Sequence, residues 1–494
     1  MFLGIDLGTS ELKTVLLSDD GVIVASASHP LAISRLRPGW AEQDPEEWWR
    51  VTCTTLATLR DSHSIAYAQI RAIGLSGQMH GAVLLDAYDR PLRPAILWND
   101  MRCVSECDEL LRRAPMLHAL TGNWAMPGFT APKLLWLARH EPENFKKLAC
   151  VLLPKDYLRL RLTGERLTDP SDASGTLWLD VARREWSSEL LQACDLNCAQ
   201  VPKIVEGSSP TGFVRPRIAS ELGLSSGVTV AAGGGDTATS AIGLGAAEDG
   251  DGFLSLGTSG VLSVVTGQAR ISPEMGVHAL CHAVPERWHR TSVTLSAASC
   301  LRWLCQLSAT DESTLLAEVT KVTPDQCAKA PLFLPYLSGE RTPHNDPYAQ
   351  GVFFGLANDD TRATLAYSIL EGVAFSIRDG FDAMRADGTR ETSLTLIGGG
   401  ARSAYWAQLI ADVLCIHLRR QRNSQSVAAL GAARLGSLAV DGDLAGVMRR
   451  HYVRDEFHPD LERHSIFLER LQLFRNLYKQ IRPLFRTRQS LHFQ

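Results

Sequence analysis

The sequence predicts a mixed α/β chain made of two related halves, and three observations carry that prediction. An apolar run entering Gly-Thr-Ser occurs twice, at residues 2–10 (FLGIDLGTS) and 253–260 (FLSLGTSG), at an offset of 249 in a chain of 494 (Leu256 against Leu7). In each copy a second apolar run follows the tip, 12–17 in the first and 261–265 in the second, which is the pattern of a β-hairpin. Helical segments and short apolar strands then alternate through both halves.

In chain order, Asp19-Asp20-Gly21 turns the first hairpin into a third apolar run at 22–25. A helix starts at Asp44, with Asp44 as N-cap, Pro45 at the first helical position and Glu47 placed to close a capping box. The apolar run 72–74 leads into the loop Leu75-Ser76-Gly77-Gln78-Met79-His80-Gly81, and residues 96–100 form another strand ending in Trp98-Asn99-Asp100. Residues 231–241 pass from a short strand through Gly233-Gly234-Gly235 to Asp236 and a helix start. The small, polar stretch 246–252 reads as a hinge between an N-terminal domain, 1–247, and a C-terminal domain, 248–494. In the second domain Ile397-Gly398-Gly399-Gly400 followed by 403–414 repeats the order strand, glycine loop, helix. Ile466, Phe467, Leu471, Leu473, Phe474, Leu477 and Ile481 are spaced as the apolar face of a packed C-terminal helix, 466–485.

Hydrophobic residues at 45% and charged residues at 21% exclude disorder, collagen and coiled coil. Fifty Lys and Arg against 54 Asp and Glu leave a net charge of −4, with a pI near 6.4. That balance gives no basic field for nucleic acid or for an anionic membrane. An acid at position 6 interrupts the first apolar run before it reaches signal-peptide length. No run approaches the ~18 apolar residues of a membrane span. A soluble cytoplasmic protein is expected, and 11 cysteines without a CxxC pair fit reduced thiols. Cys103/Cys107 and Cys194/Cys198 have helical i, i+4 spacing, and His278 and His282 flank Cys281; each is either a half-buried face or part of a metal site.

The chemistry concentrates in loops. Hydroxyls and glycine amides at the two Gly-Thr-Ser tips form a concave donor surface suited to phosphate oxygens. Asp6 has Ser255 as its counterpart, so an acid stands in only one copy, which fits a single Mg²⁺ on one side of a nucleotide. There is no Gly-Lys dipeptide for a Walker A loop and no GxGxxG. Asp236 is either a plain helix cap or a general base for a substrate hydroxyl. Gln78 and His80 offer donors and acceptors for a polyhydroxylated ligand, and Trp98 beside Asn99 and Asp100 makes a sugar-binding face or part of the core. Glu340-Arg341 is a surface pair or an ordering element near the cleft, and Gly398–Gly400 is a helix cap or a close-approach loop.

Taken together these segments resemble the FGGY family of carbohydrate kinases. The matching pieces are GIDLGTS, LSGQMHGAVLLD, LWND, MPGFTAPKLLW, LLPKDYLRLRLTGE, GGGD, SLGTSG, PYLSGERTPH, GVFFGL and LIGGGARS, in family order from residue 2 to about 435. QMHG and SGERTPH are most similar to the branch acting on D-xylulose. The resemblance implies an actin-like, ribonuclease-H-like fold with two α/β domains around a deep cleft. It also implies ATP- and Mg²⁺-dependent phosphorylation of D-xylulose at O5. By position, Asp236 is the base and Asp6 the acid near Mg²⁺, through water. Gly8, Thr9, Ser10 and Lys13 match the first phosphate loop, Gly257, Thr258 and Ser259 the second, and Gly399, Gly400 and Ser403 the adenosine loop. Gln78, Met79, His80, Trp98, Asn99, Asp100 and Thr237 match the sugar pocket. By analogy a homodimer is expected, with no nucleic-acid or membrane partner.

Four departures bear on sugar identity and on ATP. Thr237 stands where the family carries Asn, and losing an amide contact is worth ~1–3 kcal/mol. Trp124 is expected to reshape the pocket, Glu11 to place a negative charge near ATP, and Thr364 replaces an amide or charged side chain. A kinase for another ketopentose such as ribulose or for a polyol, and a non-catalytic sugar or nucleotide sensor, are the alternatives.

Overall fold

The computed structural model describes residues 1–386, 388–391, 393–421, 426–448 and 453–490. Two seven-stranded sheets organise it. In the first, strand Phe2–Leu7 lies between its hairpin partner Glu11–Leu17, which it pairs antiparallel, and Ala72–Gly77, which it pairs parallel. Ile23–Pro30 closes one edge, Thr229–Ala231 and Pro210–Phe213 extend the other, and Gly234–Gly235 pairs with the end of Ala72–Gly77. In the second, Asp251–Leu256 sits between Gly260–Thr266, antiparallel, and Ser393–Ile397, parallel.

The repeat seen in sequence is therefore a repeat of strands. Phe2–Leu7 and Glu11–Leu17 map onto Asp251–Leu256 and Gly260–Thr266 at the offset of 249 residues given by Leu7 and Leu256. This is the two-domain, actin-like arrangement expected. Among the described residues, no helix is long and apolar enough to cross a membrane.

Local expectations divide. Asp44 caps helix Pro45–Ser62 by accepting the Glu46 N–H at 3.0 Å, with Pro45 in the first turn. Glu47 does not close a capping box; its carboxylate takes the Arg50 guanidinium instead. The last helix runs longer than expected, Leu461–Ser490, and buries Phe467, Leu471, Phe474, Leu477 and Tyr478. Ile466 and Leu473, expected on that face, are exposed.

The two halves of the chain are not independent packing units. Helix Val427–Asp441, late in the chain, lies on the first sheet against Phe2–Leu7 and Ala72–Gly77, and also packs on helix Asp236–Leu244. A Cβ on Gly74 would fall 1.7 Å from the Ala432 carbonyl oxygen, and one on Gly4 would fall 1.8 Å from that of Ala429. Helix backbone thus rests on strand backbone with no side chain between them. Further contacts join the halves on one side. Trp124 Nε1 donates to the Pro273 carbonyl at 2.6 Å, and Asn123 Nδ2 to that of Ala279 at 2.9 Å. Trp124 is therefore committed to this seam.

Gly74→Ala is expected to cost about 3 kcal/mol or more, because the opposing atom is backbone and cannot swing away. Gly399→Ala, with nothing within 4 Å of the new carbon, should stay within about 0.5 kcal/mol of the parent. Urea titrations of the two variants check this, and equal midpoints would refute the packing argument.

Candidate active site

Parallel strands Phe2–Leu7, Ala72–Gly77 and Gly234–Gly235 end side by side, with Asp6 and Gly234 both in register with Ser76. The crevice beyond such carboxyl ends is the usual ligand position in open α/β sheets. Asp6 and Asp236 meet there. Ser76 Oγ donates to Asp6 Oδ1 at 2.8 Å and contacts Thr239 Oγ1 at 2.7 Å, joining the Asp6 strand to the helix that begins with Asp236. Burial pushes the Asp236 carboxyl up to about 6, and the charge of Asp6 adds to the rise. Burial also raises Asp6, against the hydroxyl of Ser76 and the charge of Lys13. Thr237 Oγ1 lies 3.3 Å from Asp236 Oδ1, so this side chain steadies the carboxylate.

The stretch after Ala72–Gly77 lines the same crevice. His80 has φ +69°, and its Nδ1–H donates to the Gly175 carbonyl at 2.8 Å. Burial drives its pKa down to about 3. The ring is therefore neutral, with Nε2 an acceptor. Lys133, fully buried, holds the strained turn by donating to the His80 and Gly128 carbonyls at 2.7 and 2.8 Å, and burial lowers its pKa to about 7. Met79 lies so close to Gly235 that a Cβ there would meet its Cγ at 2.8 Å.

Two expected sugar ligands have other partners. Gln78 is buried, accepts the Thr9 hydroxyl at 2.9 Å and donates to Gln43 Oε1 at 3.0 Å. Asp100 is fully buried; its oxygens take the Ala41 N–H, the Arg102 N–H and the Arg102 guanidinium at 2.6–2.9 Å. Both build the floor and wall, and neither carboxylate oxygen of Asp100 is left for a sugar. Trp98 is 47% exposed and donates to Thr9 Oγ1 at 2.9 Å, whereas Asn99 Oδ1 is buried without a hydrogen-bond partner.

Gly8, Thr9 and Ser10 form the tip between the first two strands. Lys13 pairs with Glu11 at 2.8 Å, so the acid expected to repel ATP is neutralised by its neighbour. Gly257, Thr258 and Ser259 form the matching tip. The Gly257 and Thr258 carbonyls accept the N–H groups of Ala298 and Ala297, both at 2.9 Å. Gly399 opens onto free space, Gly400 begins a short turn, and the Ser403 hydroxyl caps helix Ala404–Leu414 through the Trp406 N–H at 3.2 Å.

Several contributors were not singled out from sequence. Beneath Gly77, Lys155 lies between Asp156, Asp169 and Asp172 at 2.6, 2.9 and 3.3 Å, all fully buried. Burial opposes charge on Lys155, yet the three carboxylates hold its pKa above the ordinary lysine value. Burial raises Asp172 well above the carboxylate range. Ser171 Oγ accepts the Gly235 N–H at 3.1 Å and bonds Asp169, tying this cluster to the residue before Asp236. From the other half, His278, which the sequence offered only as a half-buried face or a metal ligand, stands 6.0 Å from the Phe129 ring, which packs on His80, and its Nδ1 donates to Asn123 Oδ1 at 2.8 Å. The charge of Arg341 bears on both imidazoles. The cysteine pairs hold no metal set. Cys103 and Cys107 donate to backbone carbonyls, and so does Cys194, while Cys198 is exposed.

Comparison with known proteins fits this geometry. The family models described as the N-terminal and C-terminal domains of the FGGY family of carbohydrate kinases match residues 1–243 and 252–440. The chain belongs to the FGGY family of carbohydrate kinases. It is 49% identical to the xylulose kinase of Escherichia coli (strain K12), over 98% of this chain and 100% of that protein. Against the xylulose kinase of Klebsiella pneumoniae the identity is 46%, with the same coverage. A crystal structure from Brucella ovis, described as a xyloylose kinase, superposes with a TM-score of 0.95 at 45% identity, over 98% of this chain and 99% of that one.

Asp236 holds its proton more tightly folded, at about 6, than its ordinary 3.8, so its ionised form destabilises the fold above pH 6 and the penalty vanishes below about pH 4. Asp236→Asn is expected to raise the unfolding free energy at pH 8 by about 1–3 kcal/mol, with the gain fading as pH falls toward 4. Denaturant titrations at pH 8 and 4 test this; a loss of stability at pH 8 would contradict the electrostatics.

Proposed function

We propose that this FGGY kinase transfers the γ-phosphoryl group of ATP to O5 of D-xylulose, giving D-xylulose 5-phosphate and ADP. The observation that carries the reading is the meeting of Asp6 and Asp236 at the ends of three parallel strands, with the pKa of Asp236 raised by burial and by its partner. Asp236 takes the proton of the substrate hydroxyl as its oxygen bonds to the γ-phosphorus, and the bond from phosphorus to the β-phosphate oxygen breaks. A base near 6 is stronger than an ordinary carboxylate and is still ionised at neutral pH.

Asp6 fits a hard dication. One oxygen takes the Ser76 hydroxyl, the described residues supply no donor to the other, and carboxylate oxygen is the ligand Mg²⁺ prefers. Bound there, Mg²⁺ would neutralise charge on the phosphates. The tips Gly8–Ser10 and Gly257–Ser259 offer phosphate oxygens the hydroxyls of Ser10, Thr258 and Ser259, the Gly257 N–H being held by the Ser259 carbonyl at 3.0 Å, and the open surface at Gly399 accepts the nucleoside. His80 Nε2 accepts a sugar hydroxyl, Asn99 Oδ1 would do so only after its side chain turns outward, and Met79 and Trp98 cover the carbon skeleton. Thr237, tied to Asp236, acts on the base more than on the sugar. The two relatives named xylulose kinase support D-xylulose as the acceptor. Closure over both substrates excludes water, the competing acceptor.

ADP release with Mg²⁺-ATP, measured for D-xylulose beside D-ribulose, L-ribulose, L-xylulose, glycerol and xylitol, should give the highest kcat/KM for D-xylulose. Asp236→Ala should lower kcat by ~10²–10⁴. A different preferred sugar overturns the substrate assignment, and an unchanged rate overturns the base.

A further inference from the structure

Strands His417–Gln421 and Val453–Phe457 form an antiparallel ribbon at the edge of the second sheet, with Leu418 opposite Phe457 and Arg419 opposite Glu456. Side chains alternate along such strands. Leu418 and Phe457 are buried on the core face, so His417, Arg419, Glu456 and His458 share the outer one. Among the described residues, His417, Glu456 and His458 are the one group of three whose ligand atoms come within 4.8 Å of one another. Glu456 Oε2 lies 3.6 Å from His417 Nε2 and 3.9 Å from His458 Nε2, too far for hydrogen bonds. His417 Nε2 is buried and has no hydrogen-bond partner. The two imidazoles stack 4.4 Å apart with planes 2° from parallel, so a shared ion requires one ring to turn, and His458, 73% exposed, has the room to do so. Three ligand groups therefore converge without satisfying one another.

We propose that His417, Glu456 and His458 bind Zn²⁺ on this ribbon. Two imidazoles and a carboxylate, with water as the fourth ligand, suit zinc's tetrahedral preference and not the all-oxygen shells of Mg²⁺ or Ca²⁺. Arg419 Nε lies 3.9 Å from Glu456 Oε1, and Oε2 is the oxygen turned toward the histidines. On the opposite face Arg420 bonds Asp455 and the carbonyls of Ala401 and Arg402, in the turn that follows Gly399. Zinc across the ribbon would thus fasten strand Val453–Phe457 to the strand that supports this turn.

The test is titration of the full chain, stripped with chelator, with Zn²⁺ by calorimetry and with Co²⁺ by absorption. Wild type is expected to bind one equivalent, with a Co²⁺ spectrum free of thiolate charge transfer. His417→Ala and His458→Ala should each weaken it at least ~10-fold, and Arg419→Ala should tighten it by removing a repelling charge. Glu456→Gln, the mildest change, should also weaken binding and guards against loss of fold in the histidine variants. Equal Zn²⁺ binding by wild type and Glu456→Gln, or a thiolate-dominated Co²⁺ spectrum, would overturn the proposal.

Discussion

The candidate active site depends on a helix and a sheet meeting backbone to backbone. Helix Val427–Asp441 comes from the second half of the chain, yet it lies on the strands that carry Asp6 and lead into His80. Gly4 and Gly74 permit the contact, because any side chain at either position would occupy the volume of a helix carbonyl. The same helix packs on Asp236–Leu244, so the element that presents Asp236 is held between the first sheet and a segment of the other half. The two aspartates keep their separation because three elements from distant parts of the chain share one tightly packed seam.

Around that seam the protein replaces water with fixed polar partners. Lys155 with its three aspartates and the Asp100–Arg102 pair are buried, the Gln43–Gln78–Thr9 chain runs from buried amides to a half-buried hydroxyl, and each contributes orientation more than net stability. Three acids face the two cations Lys155 and Arg159 in the first cluster, and the upward shift of Asp172 brings that count nearer to balance. Removing one partner would leave an uncompensated charge beneath the strand that ends at Gly235.

What could be read from the sequence followed from local pattern. The hairpin repeat, the cap at Asp44 and the placement of Asp6 and Asp236 depend on neighbours a few residues away, and those segments also carry the family resemblance. What could not be read depends on long-range partners. Gln78 resembled a sugar ligand until Gln43 and Thr9 claimed its amide, and Asp100 until Arg102 and the Ala41 N–H saturated it. Lys133 gave no sequence signal and His278 only a choice between a half-buried face and a metal ligand, since their roles come from carbonyls and side chains 5 to 155 residues away. Glu47 had the right spacing for a capping box and met an arginine first.

One hydroxyl has a thermodynamic consequence for how the substrates meet. Thr9 sits in the first phosphate tip, yet its oxygen receives the Trp98 indole N–H and gives its own proton to Gln78. A sugar that turns the Trp98 ring must break a bond to the tip, and a phosphate that captures the Thr9 hydroxyl must release Gln78. Through this hydroxyl a sugar that moved Trp98 and a phosphate that took Thr9 would each change what the other meets. Linkage makes any such effect reciprocal: the factor by which sugar changes the affinity for nucleotide is the factor by which nucleotide changes the affinity for sugar.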